Sequence, residues 1–104
     1  MTPTTIAPDP AVFPEEVRRF AAERGVTQYL EPLYELAKRC FDGGDVAVTF
    51  QSDYDIPDLH WIVYEVATGH MSDESRRTAH DNYIDLKLRM LSPSAREPFA
   101  LRVR

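Results

Sequence analysis

The sequence predicts an α+β fold: a two-layer domain of order ααββαβ, with a three-stranded sheet and its helices packed on one face. Three observations lead there. Apolar residues recur at helical spacing as far as Phe41, and the period falls to two after Asp42-Gly43-Gly44-Asp45. Helical spacing then returns from Asp73 to about Leu91, and a last alternating run closes the chain at 99–103. A chain of 104 residues fits one domain with one core, burying roughly 65% of its unfolded surface.

Residues 1–11 hold Pro3, Pro8 and Pro10 among Thr and Ala without periodicity, so a flexible arm is expected there and a single domain over 12–104. Phe13-Pro14-Glu15-Glu16 opens the first helix. Pro14 suits the first helical position, where no N–H is needed, and the glutamates favour the positive end of the macrodipole. Val17, Phe20 and Ala21 make its apolar stripe. Gly25 is expected to end the helix as a left-handed residue, with Val26 folding back. In the second helix Thr27 can cap a first turn, and Pro32 sets the regular helix near Glu31. Leu33, Leu36, Ala37, Cys40 and Phe41 then share one face.

Val46, Val48 and Phe50 alternate with Ala47, Thr49 and Gln51, which reads as a strand with one apolar face. His60-Trp61-Ile62-Val63-Tyr64-Glu65-Val66 is apolar at nearly every position, the pattern of an interior strand. Ile62, Tyr64 and Val66 fall on one face, Trp61 and Val63 on the other. An antiparallel pair joined by 52–59 is the simplest arrangement. Ser72 or Asp73 caps the third helix. Ala79, Tyr83, Leu86 and Met90 form one line on it and Ile84, Leu88 and Leu91 a second, so a wide buried stripe is expected. Ser92-Pro93 ends it. Phe99, Leu101 and Val103 make the closing strand, with Arg102 and Arg104 on its solvent side.

Composition narrows the function classes. Twelve basic against seventeen acidic residues give a net charge of −5, a field that repels a phosphate backbone, so nucleic acid is not the expected partner. No apolar run is long enough to span a bilayer, and Met1 to Val12 lack the basic and apolar regions of a secretory signal. The expected location is cytoplasmic. The one cysteine, Cys40, has no disulfide partner in the chain and belongs to no zinc motif. No H-E-x-x-H, G-x-S-x-G or phosphate-binding glycine loop occurs, and no cofactor is expected.

Gly25-Val26-Thr27-Gln28-Tyr29-Leu30-Glu31-Pro32, Asp53-Tyr54-Asp55-Ile56-Pro57-Asp58 with the following Trp61-Ile62-Val63-Tyr64-Glu65-Val66, and the closing Phe99-Ala100-Leu101 resemble a group of small bacterial proteins of about 100 residues. The resemblance covers most of 13–103. It implies an α+β fold and no catalytic residue, since that group carries no assigned activity.

The densest chemistry lies in Ser52-Asp53-Tyr54-Asp55-Ile56-Pro57-Asp58-Leu59-His60. Three readings compete. Turn chemistry alone accounts for Asp53 and for Pro57-Asp58. Alternatively the loop is part of a partner-binding surface of Tyr54, Asp55, Asp58, Trp61 and Val63. In the third reading Asp53, Asp55 and Asp58 hold a hard divalent cation with His60 as acid or base, as in a small metal-dependent hydrolase, although the order of a calcium-binding loop fails at Pro57. His60, His70 and Asp73 would form a further constellation if the loop approached the third helix. The leading expectation is a non-enzymatic, acidic interaction protein that works through the open face or an edge of its sheet, on a protein partner or on a second copy of itself.

Overall fold

The computed structural model describes residues 9–104. Most of the expected 1–11 arm thus lies outside the described residues. From Asp9 the chain makes a turn in which the Asp9 carbonyl accepts from the Val12 and Phe13 amides at 3.0 and 2.8 Å. That turn delivers Phe13 into the core, fully buried and edge-on to Tyr34.

Helix α1 spans Glu15–Arg24. Pro14 sits one position earlier than its composition suggests: with ψ 157° it is the cap itself, and Glu15 begins the helix. Gly25 (φ 70°) ends it, the Val26 amide donating to the Ala21 carbonyl and the Gly25 amide to that of Ala22. This 6→1 and 5→2 pair of bonds satisfies two terminal carbonyls and turns Val26 inward, where it is buried. A single 3₁₀ turn, Thr27–Tyr29, leads into α2, Leu30–Cys40. Pro32 lies in the first turn of α2, where its missing N–H leaves no bond broken. Leu30, Leu33, Leu36 and Ala37 are buried along α2 and Phe41 just beyond it, whereas Cys40 is half-buried at the end of the stripe.

Strands β1 (Val46–Ser52) and β2 (His60–Val66) pair antiparallel from Val46 opposite Val66 to Ser52 opposite His60. Helix α3, Asp73–Met90, follows with Ser72 as its cap, the Ser72 Oγ accepting from the Ser75 amide at 3.1 Å. A one-turn helix, α4 (Pro93–Arg96), has Ser92 as cap and proline in its first turn. Strand β3, Phe99–Val103, lies parallel to β2, so the sheet order is β1-β2-β3 with the longest strands first and the closing strand at an edge. A parallel neighbour needs a crossover, and α3 supplies it.

Register divides the sheet. Val46, Val48, Phe50, Ile62, Tyr64, Val66, Phe99, Leu101 and Val103 face the helices and pack in one core with α1, α2 and part of α3. The Tyr64 hydroxyl, buried, donates to the Leu30 carbonyl at 2.9 Å and so ties the central strand to the start of α2. At the other end Thr68, fully buried, joins three elements: its Oγ donates to the Arg104 carbonyl and accepts from Arg76 Nε at 2.8 Å.

The stripe on α3 is narrower than its sequence suggests. Its buried residues are Ala79, Tyr83 and Lys87, Ile84 is half-buried, and Leu86, Leu88 and Met90 are exposed. A helix 18 residues long, at 1.5 Å per residue, extends about 27 Å. Three strands and an 11-residue α2 cannot cover both flanks of its C-terminal half.

Candidate functional site

The face of the sheet turned away from the helices is built by the alternate residues of each strand: Ala47, Thr49 and Gln51 on β1, Trp61, Val63 and Glu65 on β2, Ala100 and Arg102 on β3. Among the described residues no helix lies over it. Val63 stands opposite both Thr49 and Ala100, flanked along its own strand by Trp61 and Glu65, and these neighbours leave it 2% exposed. It therefore offers almost no contact area. Trp61 is half-buried, and with Leu59 it lines a narrow crevice of about 60 Å³ shared with Phe20, Arg24 and Pro98. Glu65 is held between Arg102 and Arg104, at 3.0 and 3.4 Å.

Beyond this face the β1–β2 hairpin projects its loop. Asp53 shapes it: one carboxylate oxygen accepts from the amides of Asp55 and Ile56 at 2.7 and 2.9 Å, and the Asp53 amide donates to the Leu59 carbonyl at 2.9 Å. This is a side chain mimicking a backbone turn, the chemistry for which aspartate is favoured at such positions. Asp55 and Asp58 are exposed. Tyr54 is 100% exposed, Ile56 54% and Leu59 41%. The tip thus combines three uncovered large apolar side chains with carboxylates.

The structure separates the residues of the metal reading. Asp53 is committed to two backbone amides, and His60 turns toward the core side, its ring stacked on Phe50 with centroids 5.2 Å apart and its Nδ1 2.7 Å from Ser52 Oγ. Among the described residues no three His, Cys, Asp or Glu side chains converge where a metal ion could be held. His70 and Asp73 do not approach His60, because the seven residues of β2 stand between, about 20 Å at strand spacing. His70 Nε2 instead lies 2.9 Å from the Asp42 carbonyl. Burial pushes the Cys40 thiol up, with Arg39 acting in the opposite sense, so the protonated form is favoured.

Two features of this surface escaped the sequence reading. Ile56 and Leu59 stand exposed beside Tyr54, and the visible signal was an apolar residue on each side of Pro57-Asp58 with no strand or helix to bury it. The pairing of both C-terminal arginines with Glu65 depends on β3 joining β2 in parallel, a long-range choice that local pattern does not carry. The fold and this surface define a two-layer α+β protein with one uncovered sheet face and an apolar, acidic hairpin tip. No protein family, curated protein or solved structure matches the chain. Among the described residues no helix is long and apolar enough to cross a membrane.

Proposed function

We propose that this protein is a non-enzymatic interaction module of the cytoplasm that engages a protein partner through the β1–β2 hairpin tip and the adjoining open face of the sheet. The observation that carries the reading is the set Tyr54, Ile56 and Leu59, uncovered together on one short loop. Exposed aromatic and aliphatic side chains without a partner in their own chain are characteristic of interaction sites. The loop has a rigid base, because the Asp53 bonds hold its backbone, and a preformed loop loses less entropy on binding. Asp55 and Asp58 beside the apolar residues favour a partner with a basic rim around an apolar pocket. A photo-crosslinking residue in place of Tyr54, introduced in the cell of origin, is expected to form a discrete adduct with one protein. An adduct at twice the 11.9 kDa chain mass would identify that partner as a second copy.

A further inference from the structure

Strand β3 is an edge of the sheet, and its outer side has the groups and the shape of an unfilled strand position. Arg104 donates to the Val66 carbonyl and accepts from the Thr68 amide, both at 2.8 Å, while the Pro98 carbonyl accepts from the Ile62 amide at 2.7 Å. The alternation of a parallel ladder therefore turns the even-numbered residues of β3 toward β2, and the backbone groups of Phe99, Leu101 and Val103 outward. Only the first of these finds a partner among the described residues: Lys87 Nζ donates to the Phe99 carbonyl at 3.2 Å. Among the described residues the amides and carbonyls of Leu101 and Val103 have no partner along the edge.

Helix α3 overhangs this edge. A groove of about 480 Å³ runs between them, lined by Ile84, Leu88, Pro93 and Phe99, with Lys87, Arg96 and Glu97 at its sides. A second hollow of about 240 Å³ continues at the other end of β3, between Val103, Arg76, Arg77 and His80. Leu88, 50% exposed, is part of the apolar flank of α3 that no strand among the described residues covers. One more strand beside β3 would cover it.

Charge selects the occupant. The chain carries a net −5, yet this edge is basic: Arg77 and Arg96 lie at its two ends, and Arg102 and Arg104 share the single carboxylate of Glu65 on the open side. Two copies pairing β3 with β3 about a two-fold axis would place Arg77 of each opposite Arg96 of the other. Those like charges, only partly offset by Glu97 beside Arg96, do not favour that dimer. We infer that the β3 edge accepts an extended acidic segment of a partner protein as a fourth strand, its apolar side chains inward under Ile84 and Leu88, its central carboxylates on the open side beside Arg102 and Arg104, and its terminal ones within reach of Arg77 and Arg96 at the two ends. The inference rests on the reading of the protein as an interaction module and assigns it a second surface, which begins one strand over from the hairpin base, where Pro98 shares a crevice with Leu59 and Trp61.

The test uses the full chain and a fluorescein-labelled peptide of about seven residues alternating glutamate and valine, with a lysine–valine peptide as control. The glutamate peptide is expected to bind at least about tenfold more tightly. The paired substitution Arg77→Glu and Arg96→Glu should reverse the preference, and saturating peptide should slow hydrogen exchange at the Leu101 and Val103 amides. Equal or absent binding of the two peptides, binding without protection of those two amides, or self-association of the unliganded protein through β3 would each overturn the proposal. Failure here with the Tyr54 adduct intact removes this site and leaves the hairpin reading standing. Binding and protection here with no Tyr54 adduct supports the β3 site and removes the hairpin from the function.

Discussion

Two buried tyrosines show how one hydroxyl can be worth keeping and another not. Tyr64 and Tyr83 are both fully buried, and burial is the first cause that pushes each phenol well above its ordinary range. The Tyr64 hydroxyl donates to the Leu30 carbonyl, whereas that of Tyr83 has no hydrogen-bond partner among the described residues. Tyr64→Phe removes this bond while the Leu30 carbonyl, at the first position of α2, keeps its helical partner, so the expected cost is about 0.5–1.5 kcal/mol. Tyr83→Phe removes a hydroxyl that was desolvated for no bond, so it should fall within about 0.5 kcal/mol of the parent or exceed it. Urea unfolding of the two variants at unchanged slope checks the order. Lys87 poses a related problem in charge. It is 8% exposed, and burial first, then the neighbouring Arg96, hold its ammonium below the ordinary lysine range. In the folded protein it therefore releases its proton at lower pH than in the unfolded chain. Between the lowered value and about 10.4 the unfolded state binds more protons, so this residue's contribution to stability rises with pH across that window. Lys87→Met removes the dependence. The stability of the parent relative to this variant should climb as the pH rises through the lowered value toward about 10.4, and a flat or falling difference over the alkaline range would contradict the placement of the ammonium.

At the scale of elements, the strongest local signals gave the most secure structure. Gly25 is left-handed as its place after the Val17–Phe20–Ala21 stripe suggests, and nothing stands within 4 Å of where a Cβ would lie. Gly25→Ala should therefore cost about 1–2 kcal/mol from backbone conformation alone, read as a fall in the unfolding midpoint without loss of the fold. The change of period at Asp42–Asp45, the antiparallel hairpin and the assignment of Trp61 and Val63 to the face opposite Tyr64 were all legible, because each depends on residues close in sequence. The stripe on α3 was not. Leu86, Leu88 and Met90 recur at helical spacing whether or not anything covers them, and the position of the sheet edge decides which are buried. The hairpin loop was legible as turn chemistry. Its apolar tip was not, since the exposure of Ile56 and Leu59 depends on whether another element packs over the loop, which local pattern does not carry.

For the whole molecule, the buried core and the uncovered surfaces lie apart. The helices and one face of the sheet enclose the core, while the opposite face, the hairpin tip and the β3 edge keep unpaired groups outward. Charge is distributed in the same way: Asp53, Asp55 and Asp58 sit on the hairpin loop, and Arg77, Arg96, Arg102 and Arg104 sit along the β3 edge with Glu97 among them. A protein that used both proposed surfaces would bridge a basic and an acidic partner. The most direct measurement is site-specific photo-crosslinking in the cell of origin, with the probe at Tyr54 and, in a parallel sample, at Glu35 on the exposed side of α2. A discrete adduct from position 54 and none from position 35 is the predicted result. No adduct from 54, or the same adducts from both positions, would contradict an interaction site at the hairpin tip.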